Sequence, residues 1–178
     1  CFLPLTRNPN VDRNLGTRHR AAICLTEETD AVVIVVSEEN MQVSLVMGGQ
    51  ITPDLDMPTL RKALEGVDRL FLAQGTSARQ AENEIALIDA ALAADVKHIV
   101  KLSSCGPPTR LHPFDWHTRI EAHLATQEIG WTFLRPTTFV DILVRAGRPV
   151  IEGSWGGAAG EGSVNMIDTR DVADCARA

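Results

Sequence analysis

The chain has 178 residues and no tyrosine, and aromatics make up only 4% of it. A phenol is therefore missing from any acid–base chemistry it could perform. No run of about 18 apolar residues is present to span a bilayer, and no basic segment followed by an apolar run reads as a signal peptide. The four cysteines, Cys1, Cys24, Cys105 and Cys175, form no CxxC pair. They read as reduced thiols of a cytoplasmic protein. Basic residues are outnumbered, 17 Lys and Arg against 23 Asp and Glu, for a net charge of -6. That balance argues against nucleic acid or an anionic membrane as partner, because both attract a basic field. Local arginines can still hold a small anionic ligand.

What is there fits a folded protein. Hydrophobic content of 44% with 22% charged residues is ordinary for a globular chain, and the length suits one domain with a real core or two small ones. The chain opens on Cys1 rather than methionine and stops at Ala178 inside a starting helix. We therefore read it as a fragment or a fusion of fragments.

A seam near Ile51 divides the pattern. Before it, Cys1–Leu5 is an apolar stretch that Pro4 confines to a strand edge or loop, and Asn8-Pro9-Asn10 signals a turn. A helix is predicted over Thr17–Leu25. The β-branched run Ala31–Val36 predicts a strand buried on both faces, and Met41–Met47 a hairpin partner closed by Gly48-Gly49. After the seam, helix and strand alternate. Pro58–Glu65 predicts a helix ending at Gly66, and Arg69–Ala73 a strand. Over Ala78–Asp95, Ala81, Ile85, Ile88, Ala91 and Leu92 recur at helical spacing, with Glu82, Glu84 and Asp89 on the other side. His98–Ser103 is the next strand. Trp116, Ile120 and Leu124 mark a helix stopped at Gly130, and Trp131–Arg135 is a strand halted by Pro136. Such alternation implies parallel βαβ units.

The stretch Gly16-Thr17-Arg18-His19-Arg20-Ala21-Ala22 carries the sharpest chemical signal. Unpaired N–H groups at a helix start and the helix dipole favour an anion there, and Arg18 and Arg20 add bidentate phosphate donors. Together with the Cys1–Leu5 opening, Asn8-Pro9 and Ser37-Glu38-Glu39, this motif makes residues 1–51 resemble the diadenylate cyclase domain, which condenses two ATP into cyclic di-AMP. The resemblance implies nucleotide binding by Thr17, Arg18, His19, Arg20 and Ser37, with Mg or Mn held near Glu38 and Glu39. It also implies two domains facing each other, hence a homo-oligomer. The family's Asp-Gly-Ala signature, whose aspartate is a metal ligand, is absent from the sequence. No catalytic residue is therefore assigned, and turnover is expected to be lost. A solvated basic helix start beside an acidic turn is the plainer reading of the same residues.

Residues 53–178 resemble NmrA-like atypical short-chain dehydrogenases, which bind NAD(P). The likeness runs through Asp54-Leu55-Asp56, Ala63–Asp68, Val96–Ser104, Leu134-Arg135-Pro136-Thr137 and Ile167–Ala173. It implies a cofactor at the carboxyl ends of parallel strands, beside Gly75, Thr76, Ser103, Ser104, Pro136 and Thr137. Two departures matter. The glycine-rich first turn that would carry the pyrophosphate is missing, and His117 and Glu121 occupy the helix where the superfamily uses a tyrosine and a lysine. Capping and strand-ending roles explain the same serines and threonines equally well.

The expected fold is α/β, with a mixed, mainly parallel sheet flanked by helices and a truncated Rossmann-like second part. The front strands could stand in for missing early strands and form one joint sheet. His112, His117 and His123 are not spaced as ligands on one helical face, so they read as solvated or helix-packing. Trp116, Trp131 and Trp155 read as core or lid residues, and Gly153–Gly162 as a flexible loop. Three functions stay open: an ATP-binding cyclase remnant, an NAD(P)-binding sensor or impaired oxidoreductase, and an inert fusion.

Overall fold

A two-glycine turn folds the chain back on itself at the seam. The structure is a computed structural model that describes residues 17–28, 32–36, 43–106, 110–140, 147, 151–153 and 162–177. Cys1–Leu5, the Asn8-Pro9-Asn10 turn, Ser37-Glu38-Glu39 and Trp155 with most of its glycine-rich loop lie outside the described residues. Helix α1 (Thr17–Glu28) packs on an antiparallel ladder of β1 (Val33–Val36), β2 (Val43–Met47) and β3 (Gln50–Thr52). Gly48 and Gly49 have φ of 53° and 76°, the left-handed values that a two-residue hairpin turn requires. A Cβ on Gly49 would lie 2.8 Å from Cγ of Glu27, so the turn also fits closely against α1. Thr26 ties the two together. Its hydroxyl donates to the Ile23 carbonyl at 3.1 Å and accepts from the Gly49 N–H at 3.1 Å.

Two expectations shift here. Among the described residues the strand runs from Val33 to Val36, at the edge of an antiparallel ladder in which Val33 and Ile34 are half-buried. A run of valines fits either kind of sheet, so composition alone could not separate them. Strand β3 was not foreseen. It lies across the seam, and Leu55 beyond it donates its N–H to the Val43 carbonyl at 2.8 Å.

Helix α2 (Met57–Leu64) starts where the Asp56 carboxylate accepts the Thr59 N–H at 2.8 Å, with Pro58 in the first turn, where no N–H is needed. The chain then alternates through β4 (Arg69–Leu72), α3 (Gln80–Ala93), β5 (His98–Leu102), α4 (Phe114–Ala125) and β6 (Gly130–Leu134). These three strands are parallel in the order β4-β5-β6, and Leu72, Lys101 and Phe133 stand in register. A short parallel pair, β7 (Thr138–Phe139) and β8 (Met166–Ile167), precedes helix α5 (Thr169–Arg177). Among the described residues the front ladder and the β4-β5-β6 sheet are separate hydrogen-bonded units. They meet through side chains, because Ile34 of β1 packs against the larger core.

That core lies where α2, α3 and α4 meet the sheet. Leu60 and Leu64, Ile88 and Ala91, Ile99, and Ile120 and Leu124 are its centre. Helix α4 ends at Ala125, short of Gly130, because the Thr126 and Gln127 N–H groups turn back onto the carbonyls of His123 and Leu124. Trp116 packs against the core, whereas Trp131 is exposed and stacks on Phe133 with ring centroids 4.4 Å apart. Glu84, placed on the polar side of its helix by its charge, is fully buried. Among the described residues no helix is long and apolar enough to cross a membrane.

Candidate functional site

Parallel strands deliver their following loops to one edge of a sheet, and here two of them build a cleft. Beyond β5 the chain runs through Ser103, Ser104 and Cys105, and beyond β6 through Arg135, Pro136 and Thr137. The two exits stay zipped: the Ser103 N–H donates to Leu134 O at 2.7 Å, and the Cys105 N–H to Pro136 O at 2.9 Å. Pairing of β7 with β8 brings residues 163–165 alongside. The first turn of α4 adds Phe114, whose ring lies so close to Gly106 that a Cβ there would stand 2.5 Å from Cδ1. The result is an open cleft of about 500 Å³ lined by Ser104, Cys105, Phe114, Thr137, Thr138, Ser163, Val164 and Asn165. Its polar groups are hydroxyls, a thiol and an amide, and none of the eight side chains is a carboxylate or a base.

Of the expected cofactor residues, Ser104 and Thr137 line this cleft directly. Ser103 and Pro136 are buried behind it. Gly75 and Thr76 follow β4 at the same sheet edge but are not among the lining residues. Next to them Gln74 Oε1 is buried with no hydrogen-bond partner among the described residues, although its amide nitrogen reaches Ser77 Oγ at 3.3 Å. In the front segment, α1 begins at Thr17, so Thr17, Arg18, His19 and Arg20 form its first turn, and the imidazole of His19 is half-buried. Ser37, Glu38 and Glu39 are outside the described residues.

Behind the cleft lies a polar network that the sequence reading missed. Lys101 points inward from β5 and is fully buried with Glu84 of α3, Nζ to Oε2 at 2.8 Å. The same ammonium faces His117 Nδ1 at 3.3 Å and donates to the Leu102 carbonyl. Gln80 Nε2 donates to the other carboxylate oxygen of Glu84 at 2.9 Å. Burial pushes Glu84 up and Lys101 down, and their mutual attraction opposes both shifts. One turn beyond His117, Glu121 receives two bonds from Arg135, Nε to Oε1 at 2.9 Å and Nη2 to Oε2 at 2.5 Å. Burial alone would raise Glu121, but Arg135, the Ser103 hydroxyl and Lys101 together hold it below its ordinary value. The other two histidines of the trio are helix and surface partners: His123 bonds Asp89 at 2.7 Å, and His112 stacks on Trp116. Among the described residues no group of three or more His, Cys, Asp and Glu could hold a metal.

His117 carries the clearest pH signature. Burial, and then the neighbouring Lys101 charge, lower it from the ordinary 6.5 to about 4, against the opposing pull of Glu121. As pH falls, the unfolded chain takes up this proton before the folded one does. The stability it contributes is therefore complete above about pH 6.5 and is lost between 6.5 and 4. Urea unfolding midpoints are expected to fall across that window, and His117→Asn to remove this part of the slope. An unchanged slope in that variant would contradict the assignment.

The fold and cleft define a Rossmann-like α/β unit open at the carboxyl ends of its parallel strands, joined to an α/β segment of another kind. Comparison with known proteins finds relatives of two kinds. Residues 1–51 match the family described as DAC, DisA bacterial checkpoint controller nucleotide-binding. The cyclic di-AMP synthase CdaA of Bacillus subtilis is 43% identical over 65 residues, covering 36% of this chain and 24% of that protein. The NAD(P)H azoreductase of Xenophilus azovorans is 34% identical over 124 residues, covering 67% of this chain and 43% of the relative. The NADPH-dependent quinone oxidoreductase QOR2 of Escherichia coli, solved with NADPH, superposes with a TM-score of 0.61 and 31% identity over 68% of this chain and 44% of its own. The chain thus spans about a quarter of the cyclase and less than half of either reductase. Its front segment is similar to diadenylate cyclases, and its larger part to NAD(P)H-dependent reductases.

Proposed function

We propose that the chain is a nucleotide binder whose working site is the cleft beyond β5 and β6, and that the cleft takes the nicotinamide end of NAD(P)H. The observation that carries this reading is the lining itself. Hydroxyls of Ser104, Thr137 and Thr138 and the amide of Asn165 suit an uncharged, hydrogen-bonding ring, and Phe114 and Val164 offer it apolar walls. With no charged side chain there, the cleft suits that ring better than a phosphate. Gln74 Oε1 at the end of β4, buried and without a hydrogen-bond partner among the described residues, is an acceptor suited to a further hydroxyl or amide of the same ligand. The likeness to a reductase solved with NADPH supports the same reading.

When bound, a reduced nicotinamide supplies a hydride. The chain's part is to seat and orient it. Turnover is not part of the proposal, because the glycine-rich turn for the pyrophosphate and a phenolic proton donor are both missing from the sequence. The reading makes the chain an NAD(P)H-binding sensor or an impaired oxidoreductase. Cytoplasmic residence belongs to the same reading, which takes the cysteines as reduced thiols.

The family match over residues 1–51 favours a second site in the front segment. There the first turn of α1, Thr17 to Arg20, would meet the phosphates of ATP with Ser37 close by, and Glu38 and Glu39 would hold Mg or Mn. Joining two ATP molecules there would need a second copy of the chain facing the first.

NADPH fluorescence tests the main reading. Saturable binding is expected, and Ser104→Leu or Thr137→Leu should weaken it by about tenfold or more while leaving the fold intact, about 1.4 kcal/mol or more of lost contact. Equal affinity in both variants would move the ligand out of this cleft.

A further inference from the structure

His117 lies on the helix that walls the cleft, one turn beyond Phe114, yet it is not among the lining residues. Its Nδ1 faces the Lys101 ammonium, which can only donate, so Nδ1 accepts and the ring proton sits on Nε2. Two charged groups act on it: Lys101 of β5, itself paired with Glu84 of α3, and Glu121 of its own helix, held by Arg135 at the end of β6. These same residues tie the cleft walls together. Lys101 bonds the Leu102 carbonyl just before Ser103-Ser104. Glu121 grips Arg135, two residues before Thr137.

We propose that His117 is a positioning residue of the cleft: as a neutral Nε2–H imidazole it accepts from Lys101 and keeps α4, with Phe114 and Glu121, seated against the ends of β5 and β6. The role rests on the reading of the cleft as a nicotinamide site. It acts through Lys101 rather than by touching ligand. A second cation at His117 would face Lys101 across 3.3 Å, so the charged ring is incompatible with the seated helix.

The test compares the unaltered chain with His117→Asn, whose amide oxygen can replace the Nδ1 acceptor, and His117→Leu, which has none. NADPH binding is expected to stay within about threefold in the Asn variant and to weaken by about tenfold or more in the Leu variant. In ¹⁵N spectra of the unaltered chain the His117 ring should carry its proton on Nε2, remain neutral through pH 5, and shift when NADPH is added. Where His117→Leu does not fold, the Asn variant and the spectra decide. Three results overturn the proposal: a proton on Nδ1, titration near pH 6.5, or a His117 signal indifferent to bound NADPH. A folded Leu variant that binds NADPH normally also overturns it and leaves the nicotinamide reading standing. Absence of NADPH binding in the unaltered chain removes the nicotinamide reading, and the positioning role with it.

Discussion

Lys101→Met should destabilise the chain by about 3–5 kcal/mol, a large part of the stability of a domain this size. The substitution leaves the Glu84 carboxylate fully buried with Gln80 as its remaining side-chain hydrogen-bond donor. Glu84→Leu should cost a similar amount for the mirror reason, a fully buried ammonium left without its counter-ion. The double variant, Glu84→Leu with Lys101→Met, should recover most of the loss, because two apolar side chains of similar size need no partner there. Urea unfolding of the three variants reads this out as a coupling. Strictly additive losses would mean that the pair does not interact as its 2.8 Å separation implies.

Ile120→Ala is expected to cost about 2–5 kcal/mol, since its side chain is fully buried where α4 meets α3 and the sheet. This loss differs in kind from that of the ion pair. It creates a cavity under the helix that carries Phe114, His117 and Glu121, so NADPH affinity should weaken as well as stability. A change of less than about 0.5 kcal/mol, as for an exposed surface site, would show that α4 is not seated as described.

The Glu84–Lys101 pair also marks where the sequence could be read and where it could not. Helical spacing put Ala81, Ile88 and Ala91 on the inner face, and they are buried. Glu84 sits three residues after Ala81 and four before Ile88, so the same spacing places it inward too. Its charge argued the other way, because an isolated carboxylate does not survive burial. The signal that resolves the conflict is Lys101, a lone charge inside Ile99-Val100-Lys101-Leu102. Two opposite charges on inward positions of adjacent elements can go in together, but their meeting requires the β4-β5-β6 register, which no local pattern states.

Elements with strong periodicity and clear stops were legible: α2 between Asp56 and Gly66, and β5 and β6 as apolar runs. Strand β3 and the β7–β8 pair were not, because segments of two or three residues carry no period and exist only through their partners. In the site, Ser104 and Thr137 followed from the rule that ligands sit beyond the carboxyl ends of parallel strands. The opposite wall, Ser163 to Asn165, did not. It reaches the cleft through β7–β8 pairing, across a long sequence separation that has no local signature.

The most direct test of the central claim is the thermal unfolding of the purified chain with NADPH, run beside Mn-ATP. A ligand held at 100 times its dissociation constant adds about 2.7 kcal/mol, or roughly 5–10 °C for a chain of this length. Stabilisation by NADPH that falls by about half or more in Ser104→Leu and Thr137→Leu is the predicted result, with any Mn-ATP effect untouched by those substitutions. No stabilisation by NADPH, with or without a response to Mn-ATP, would contradict the assignment of the cleft.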